Sequence, residues 1–371
     1  MRGCIQKKGD FYYAIVAIRN KRKWFKAGPS QNDAQKVLAE KIHEINEGIF
    51  QEYPKIKFDK FARSWLSDYA EINLKPSTFA RYRDIVERLL VPAWGGLNLA
   101  HLTAGHIHKY IAERMKAVSA KTVSNEVGLI KEIFKHGCQM EYVKNDPSEH
   151  VKRPRTERAR IEILSSPEIE RLLAKSSRRY RLAFLTCVLT GLRAGELWAL
   201  RWSDIDWNAL QINVSQSLWR GQIQTPKSRS SFRKVDIPEQ LAQELKKWRL
   251  ISPQNKLDLV FCTRNGTPVC HDNVVKRFFG PALKRAGLRH VSFHSLRHTN
   301  ASMRIAAGQN IKYIQTQLGH SSIKVTLDVY GHLFVDPEFN RRQVRLLETS
   351  LGSVRSSDVK TPLLVAGSMP P

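Results

Sequence analysis

The spacing of apolar residues divides the 371-residue chain into segments of different character. Residues 1–55 contain a β-prone run, Phe11–Ile18, and a later stretch, Asn32–Glu47, whose apolar residues recur at helical spacing. Basic residues from Arg19 to Lys23 separate the run from Trp24. This pattern predicts a β-hairpin with a basic turn, followed by one helix.

Helical spacing dominates residues 56–150. Two apolar stripes predict buried helix faces, and these are Phe58, Phe61, Trp65 and Tyr69, then Phe79, Tyr82, Val86 and Leu89. Thr103 and Ser119 are predicted to be the N-caps of two further helices. The region is therefore expected to form a helical domain of four helices.

Residues 151–160 have the composition of a linker, with five basic residues around one proline. One interpretation is a solvated hinge. We favour the other, a strap that lies along a phosphate backbone, in which Lys152, Arg153 and Arg155 contact DNA.

The largest predicted unit spans residues 161–347 and is mainly helical, with Ser166 as the predicted N-cap of its first helix. Between Asp204 and Pro238 the apolar period approaches two, which indicates a small antiparallel sheet. Residues 348–371 have the composition of a flexible tail. The expected fold class is mainly α with small antiparallel β-sheets.

The charge balance narrows the choice of partner. Lys and Arg number 61 against 34 Asp and Glu, a formal charge of +27 with a pI of about 10.1. A polyanion, most often nucleic acid, is the expected partner, although a basic ribosome-associated protein would have a similar balance.

Five scattered cysteines without a Cys-x-x-Cys pair favour neither a disulfide framework nor a zinc ribbon. They are consistent with a reducing cytoplasm, where we expect the protein to associate with the nucleoid. The chain has no apolar run of the ~18 residues that a membrane helix needs. We therefore expect no membrane partner.

Three motifs in the third unit carry the residue types that phosphate chemistry requires. Breaking a phosphodiester needs a nucleophile, cations that hold the non-bridging oxygens, and an acid for the departing oxygen. In Thr190–Leu197, Arg193 precedes Glu196 by three residues and adjoins a predicted helix start. Alone, this motif could equally be an ordinary ion pair on a helix surface.

The second motif, Ser292–Thr299, places His294 and Arg297 on one helix face. His294 and His298 also have the spacing of a zinc pair, but Ser295 stands where that motif needs a glutamate. The zinc interpretation is therefore disfavoured.

The third motif, Gln317–His332, contains His320 in a helix–helix joint. Gly319 is the predicted helix stop, and Ser321 or Ser322 is the predicted next N-cap. Tyr330 follows ten residues after His320.

Together, these motifs resemble the tyrosine recombinase (phage integrase) family, and the likeness covers nearly all of residues 160–345. The resemblance implies that Tyr330 is the nucleophile and Glu196 a supporting residue. It assigns the other catalytic positions to Arg193, Lys227, His294, Arg297 and His320. Lys227 shares its segment with three alternatives, Arg229, Arg233 and Lys234. The interval from His320 to Tyr330 is one residue longer than in many family members, a departure that concerns the local loop.

The implied reaction needs neither metal nor another cofactor. Arg193 and Arg297 would polarise the phosphate through their planar forks, and Lys227 would protonate the leaving 5′ oxygen. His294 and His320 are candidates for accepting the phenolic proton and for bonding the phosphate. The covalent phosphotyrosine stores the energy of the broken linkage, so a free 5′ hydroxyl can reverse the step.

The resemblance extends more weakly to the first two segments. It implies a core-site DNA-binding domain over residues 56–150 and an arm-site module over residues 1–55, with Arg19, Lys21, Arg22 and Lys23 as DNA contacts. The implied partners are double-stranded DNA, three further copies on paired sites, and an accessory DNA-bending or direction-setting protein. This arrangement favours integration and excision of a phage or mobile element.

Two alternatives remain at this stage. A type IB topoisomerase shares the tyrosine chemistry but relaxes supercoils instead of exchanging strands. A decayed integrase would bind DNA without cutting it.

Overall fold

A computed structural model of the protein describes residues 3–18, 21–47, 50, 53–157, 161–226, 229–331 and 337–350. Arg19, Lys227 and the tail beyond Ser350 lie outside these residues. The chain forms two compact units, Met1–Arg158 and Ala159–Pro371. Within the described part of the chain, no helix has the length and apolar character needed to cross a membrane.

The first unit begins with an antiparallel sheet in the order β1-β2-β3, followed by one helix. The elements are β1 (Gly3–Lys8), β2 (Phe11–Ile18), β3 (Lys21–Gly28) and α1 (Gln31–Asn46). The prediction of a two-stranded hairpin thus missed one strand, because the mostly exposed β1 also pairs with β2. The predicted turn is also too long, since Lys21–Lys23 belong to β3.

The two faces of this sheet differ in chemistry. Gly3 marks the face against α1, because a Cβ atom there would lie 2.5 Å from Leu38 Cδ1. Strand register puts Lys23 on that face, paired with Val16. Trp24 projects from the opposite face, where it contacts Tyr13 edge-on and is 48% exposed.

The rest of the first unit is helical. Its α-helices are α2 (Phe58–Ser64), α3 (Glu71–Asn73), α4 (Pro76–Ile85), α5 (Val91–Trp94), α6 (Ala104–Met115) and α7 (Ala120–Gln139). The π-helical turns Trp65–Ala70 and Val86–Leu90 join α2 to α3 and α4 to α5, and Leu99–His101 is a 3-10 turn. Chain segments 58–73, 76–94, 104–115 and 120–139 are therefore the four helical stretches of this region.

Most of the predicted core and both predicted caps of this region are confirmed. Phe58, Phe61, Trp65 and Val86 are buried, and the side chains of Phe79, Tyr82 and Leu89 pack partly buried against them. Tyr69 is an exception: it is 37% exposed and packs against the His136 ring. Thr103 caps α6, and Ser119 caps α7 by accepting from the Thr122 N–H.

A buried carboxylate connects α6 to α7. Glu126 accepts hydrogen bonds from Tyr110 Oη at 2.9 Å and from Arg114 Nε and Nη2 at 3.0 and 2.7 Å. Both partners lie one turn apart on α6, so one side chain of α7 fixes the register of the two helices. Such a pair is costly to break from one side, because the remaining charge stays partly buried.

The second unit has a mainly helical framework. Its α-helices are α8 (Ser166–Ala174), α9 (Arg178–Thr190), α10 (Ala194–Ala199), α11 (Glu239–Arg249), α12 (His271–Val274), α13 (Gly280–Arg285), α14 (Ser295–Ala306), α15 (Ile311–Leu318), α16 (Ile323–Tyr330) and α17 (Pro337–Ser350). Val275–Phe279 is π-helical, and Trp202–Asp204 and Arg229–Ser231 are 3-10 turns. The N-cap of α8 is Ser165, not Ser166: its N–H donates to Glu168, which closes a capping box.

The predicted small sheet is two sheets. The strands are β4 (Ile205–Asp206), β5 (Gln211–Val214), β6 (Ser217–Trp219), β7 (Gln222–Gln224) and β8 (Arg233–Asp236). One sheet has the order β4-β5-β8, and β6 pairs only with β7. The mainly α class with small antiparallel sheets is confirmed.

We predict that Glu126→Ala lowers the opening free energy of α7 by about 3 kcal/mol, because it strands Arg114 and Tyr110. Hydrogen exchange of α6 and α7 peptides in the full chain measures this locally. The control is Glu132→Ala, an exposed glutamate on the same helix, with an expected change below about 0.5 kcal/mol. Equal effects of the two substitutions would contradict the structural role of Glu126.

Candidate active site

The carboxyl end of α15 gathers three arginines from three different elements. Arg233 Nε donates to Gln317 O at 2.7 Å, Arg297 Nη2 to Leu318 O at 2.6 Å, and Arg193 Nη2 to Gly319 O at 3.0 Å. The terminal carbonyls of a helix have no partner within the helix and carry partial negative charge. They therefore orient three guanidinium groups towards one point.

Two glycines with positive φ make this approach possible. Gly319 ends α15 at φ 66°, and a Cβ there would lie 2.9 Å from Arg233 Cδ. Gly191 ends α9 at φ 68°, and its carbonyl accepts from Arg297 Nη1 at 2.6 Å. Side chains at either position would be strained and crowded.

Glu196 is the carboxylate at the centre of the arginines. It accepts from Arg193 Nη1 at 2.8 Å and from Arg233 Nη2 at 3.0 Å, and it also accepts from the Arg193 N–H, closing a capping box at the start of α10. Burial alone would raise the pKa of Glu196, but Arg233 and Arg193 outweigh it and the pKa is lowered. The group is ionised at neutral pH.

Three histidines adjoin the arginines. Burial is the main cause of their lowered pKa values, followed by neighbouring cations: the pKa falls to about 4 for His294 and about 3 for His320, and it also falls for His298. All three rings are neutral at pH 7. His320 Nδ1 lies 2.9 Å from Thr326 Oγ1, which orients that ring.

Tyr330 ends α16 and is only 1% exposed. Its hydroxyl lies 2.6 Å from His298 Nδ1, and its ring is nearly parallel to that of His320. Burial raises the pKa of Tyr330 to about 12, against a smaller opposing effect of Arg297. The phenol is therefore protonated in the free protein.

The structure brings most of the predicted site residues together. Arg193 pairs with Glu196, and Arg297 binds the same end of α15 as Arg193. His298 contacts both His294 and Tyr330, and His320 stacks on Tyr330. Lys227 lies outside the described residues. Over the described ranges, no group of three or more His, Cys, Asp or Glu side chains could hold a metal ion.

Two residues of the cluster were not predicted as part of it. Arg233 was considered only as an alternative to Lys227, although it shares its strand face with the apolar Val235 and Ile237. This period-two signal would have indicated a buried arginine. His298 was noticed only as half of a zinc pair, and its side chain instead contacts Tyr330.

The predicted DNA contacts lie in the first unit. Lys152, Arg153 and Arg155 are exposed in a segment without helix or strand, and the Arg153 guanidinium lies beside Gly128 of α7. Lys21 and Arg22 are exposed and Lys23 is half-buried. The exposed positions leave their charges available to a polyanion, whereas Lys23 lies on the side of the sheet that faces α1.

Comparison with known proteins places this arrangement in a class. The model of the phage integrase family matches residues 162–336, and that of the phage integrase central domain matches residues 58–154. A XerC-like tyrosine recombinase of Caldanaerobacter subterraneus is 25% identical, with 90% of this chain and 95% of that protein covered.

Solved structures share the fold at low identity. The Tn1549 transposon integrase in complex with a circular intermediate DNA is 22% identical, with a TM-score of 0.65, and covers 79% of this chain and 100% of its own. A lambda integrase tetramer bound to a Holliday junction is 17% identical, with a TM-score of 0.62, and covers 86% and 94%.

A buried tyrosine beside clustered arginines and histidines, on this fold, defines a tyrosine recombinase. The chain belongs to the phage integrase family. It is a site-specific recombinase, an enzyme that breaks and rejoins DNA strands.

We predict that Glu196→Gln lowers the opening free energy around α10 and β8 by about 3 kcal/mol at pH 7, because the buried Arg233 and the half-buried Arg193 lose their counter-charge. Since the folded-state pKa of Glu196 is lowered, its contribution is present above the unfolded pKa and is lost as the pH falls through the folded value. The difference in opening free energy between the variant and the wild-type chain should therefore shrink below about pH 4. Hydrogen exchange at several pH values measures this effect.

The matched control is Glu244→Gln, which removes an exposed ion pair with Lys247 on α11. It should change the local free energy by less than about 0.5 kcal/mol. A pH-independent deficit in Glu196→Gln would contradict the ionic explanation.

Proposed function

We propose that Tyr330 is the nucleophile of DNA strand exchange, and that Arg193, Arg233 and Arg297 hold the scissile phosphate. The observation that carries the proposal is the charge of the cluster. Two of the three guanidinium groups, those of Arg193 and Arg233, contact the one carboxylate, Glu196, and the third, that of Arg297, binds the Leu318 carbonyl, so the cluster has two positive charges in excess. Buried cations in excess favour an anionic ligand.

A phosphodiester fits this excess in both the ground state and the transition state. It carries one negative charge when it binds and close to two when the phosphorus becomes five-coordinate. Guanidinium groups that are already oriented stabilise the added charge without reorganisation. His294 and His320, neutral in the free protein, would donate hydrogen bonds to the same oxygens.

The proposed reaction is a reversible transesterification. Tyr330 Oη forms a bond to phosphorus while the bond to the 5′ oxygen breaks, which leaves a 3′-phosphotyrosyl linkage. By resemblance, Lys227 gives its proton to the departing 5′ oxygen. A 5′ hydroxyl from a second DNA then attacks the phosphotyrosine, and Tyr330 leaves. The number of phosphoester bonds is unchanged, so no external energy source is needed.

We further propose a division of labour along the chain: residues 56–150 bind the core site, residues 151–160 form a basic linker along the phosphates, and residues 161–347 cut the DNA. The central-domain match over residues 58–154 and the exposed Lys152, Arg153 and Arg155 support this division. Four copies would act on paired sites, as the lambda integrase tetramer on a Holliday junction suggests. The element moved would be a phage or a transposon-like element, and an accessory protein would set the direction.

Residues 1–55 are proposed to bind a separate arm site through the open face of the β-sheet. Strand register brings Arg22, Trp24 and Lys26 to this face, opposite α1. Lys26 lies over the ring of Phe11, so cations and aromatic rings share one surface. A sheet face of this kind fits a DNA groove, where its side chains reach base edges and phosphates.

We predict that Tyr330→Phe abolishes the covalent adduct on a nicked core-site substrate while leaving core-site affinity within about twofold, because only the nucleophilic oxygen is lost. Denaturing gels measure the adduct, and the wild-type chain should form it at the same rate with and without chelator. An adduct from the variant would refute the assignment of the nucleophile. Absence of an adduct from the wild-type chain would instead indicate a decayed integrase.

We predict that Arg22→Ala with Lys26→Ala weakens arm-site binding and lowers its salt slope by about two, since two phosphate contacts are lost. The matched control is Lys21→Ala with Lys23→Ala, which removes the same charge from the residues of β3 that lie on the α1 side of the sheet. Footprinting and titration at several salt concentrations compare the pairs. Equal losses would mean that the sheet adds only non-specific attraction, and protection confined to the core site would refute the arm-site model.

A further inference from the structure

The hydroxyl of Tyr330 has one histidine within hydrogen-bonding distance among the described residues, and it is His298. The Nδ1–Oη separation is 2.6 Å. His320, by contrast, stacks on the Tyr330 ring at a centroid separation of 6.5 Å, and its Nδ1 contacts Thr326. His294 packs edge-on against the ring of His298. The two histidines expected to take the phenolic proton are thus not the one in contact with it.

The protonation states define the direction of this hydrogen bond. Burial, with a smaller effect of Arg297, lowers the pKa of His298, so its ring is neutral at pH 7. The raised pKa of Tyr330, about 12, keeps the phenol protonated. A neutral ring facing a protonated hydroxyl accepts through Nδ1, and its own proton is then on Nε2. The O–H of Tyr330 donates to His298.

The fold holds this pair in place. His298 lies on α14, one residue after Arg297, whose guanidinium is fixed by Gly191 O and Leu318 O. Tyr330 shares a small buried core with Ala301 and Ile305 of the same helix. Both ends of the contact are therefore positioned by α14, so the hydroxyl and the ring keep their alignment.

We propose that His298 is the general base of the cleavage step, a role that rests on Tyr330 being the nucleophile. As the bond from Oη to phosphorus forms, the phenolic proton moves to His298 Nδ1. The P–O5′ bond breaks, and the 5′ oxygen takes a proton from the general acid. In the reverse step His298 returns its proton to the departing Tyr330 oxygen. His298 gains one proton and the general acid loses one, so the cleavage step requires no further reactant.

DNA binding controls when the base can act. In the free protein an imidazolium at His298 would lie close to Arg297 in a buried site, which is unfavourable. A phosphate held by Arg193 and Arg297 supplies negative charge beside the ring and removes that penalty. Proton transfer is thereby coupled to binding of the scissile phosphate by these two arginines.

The decisive experiment separates the base from the acid. Single-turnover adduct formation is measured at saturating protein on two nicked core-site duplexes, one with the natural 5′ oxygen and one with a bridging 5′ sulfur. A thiolate leaves without protonation, so the sulfur substrate needs no general acid. His298→Asn, which retains a hydrogen-bonding side chain, should slow both substrates by about 100-fold, within the usual range for a lost general base.

Two comparison variants calibrate the assay. Lys227→Ala, a change at the proposed acid, should be slow on the oxygen substrate and substantially faster on the sulfur one. His290→Asn, an exposed histidine of the same unit, should stay within about twofold of wild type on both. If His298→Asn formed the adduct at close to the wild-type rate on the sulfur substrate, the proposal would be overturned, because His298 would then act on the leaving group.

The pH profile adds a readout that a purely structural role would not alter. The wild-type rate on the sulfur substrate should rise with pH and level off once the base is deprotonated. His298→Asn should lack that plateau and continue to rise towards ionisation of the phenol. Profiles of the same shape in both proteins would overturn the proposal.

A second measurement covers the case in which His298→Asn fails to bind the core site. Nitrogen NMR of the DNA-bound wild-type chain should show one histidine Nδ1 that shifts in Tyr330→Phe, and its pKa should match the wild-type rate profile. A rate that follows another histidine would overturn the proposal. If the wild-type chain forms no adduct, the proposed function itself fails; if it does and His298→Asn cuts at the wild-type rate, only the role of His298 fails.

Discussion

The carbonyl end of α15 is the constraint on which the site depends. Three successive peptide oxygens, those of Gln317, Leu318 and Gly319, each accept a hydrogen bond from a different arginine. These partial charges orient the guanidinium groups without cancelling their formal charge. A cluster of carboxylates would orient the arginines equally well but would neutralise them, and the attraction for phosphate would be lost. Glu196 provides only enough negative charge to keep the buried cations together.

Burial sets the protonation of the remaining groups, and the excess of positive charge reinforces it at the histidines. Burial and neighbouring cations lower the pKa values of His294, His298 and His320 and keep them neutral, so each ring has one nitrogen that donates and one that accepts. Burial also keeps the proton on Tyr330. The free protein therefore holds the proposed nucleophile in its protonated form beside the proposed base. In the proposed mechanism, Tyr330 stays unreactive until a bound phosphate alters the local charge.

Much of the fold follows from periodicity, and most of the predicted site follows from motif spacing together with the resemblance to the phage integrase family. Helix stripes, the Thr103 and Ser119 caps and the stop at Gly319 depend on local sequence, and local rules predict them well. Arg233 and His298 were missed because their roles depend on which distant element faces them. The strand Gly3–Lys8 was missed for a related reason: its pairing with β2, not its own mostly exposed side chains, makes it a strand. Tertiary contacts of this kind are difficult to predict from a single sequence.

The core around Tyr330 links stability to reactivity. Ala301 and Ile305 of α14 and Ile314 and Leu318 of α15 bury the tyrosine ring. These helices also carry His298, Arg297 and the carbonyl end that orients the arginines. Tyr330 therefore shares one small core with the helix that carries the proposed base and with the helix whose end orients the arginines, and displacing α16 from this core would separate Tyr330 from His298 while leaving the arginines in place. In the proposed mechanism, binding of the phosphate and its cleavage are thus separable, because binding depends on the end of α15 and cleavage depends on where α16 packs.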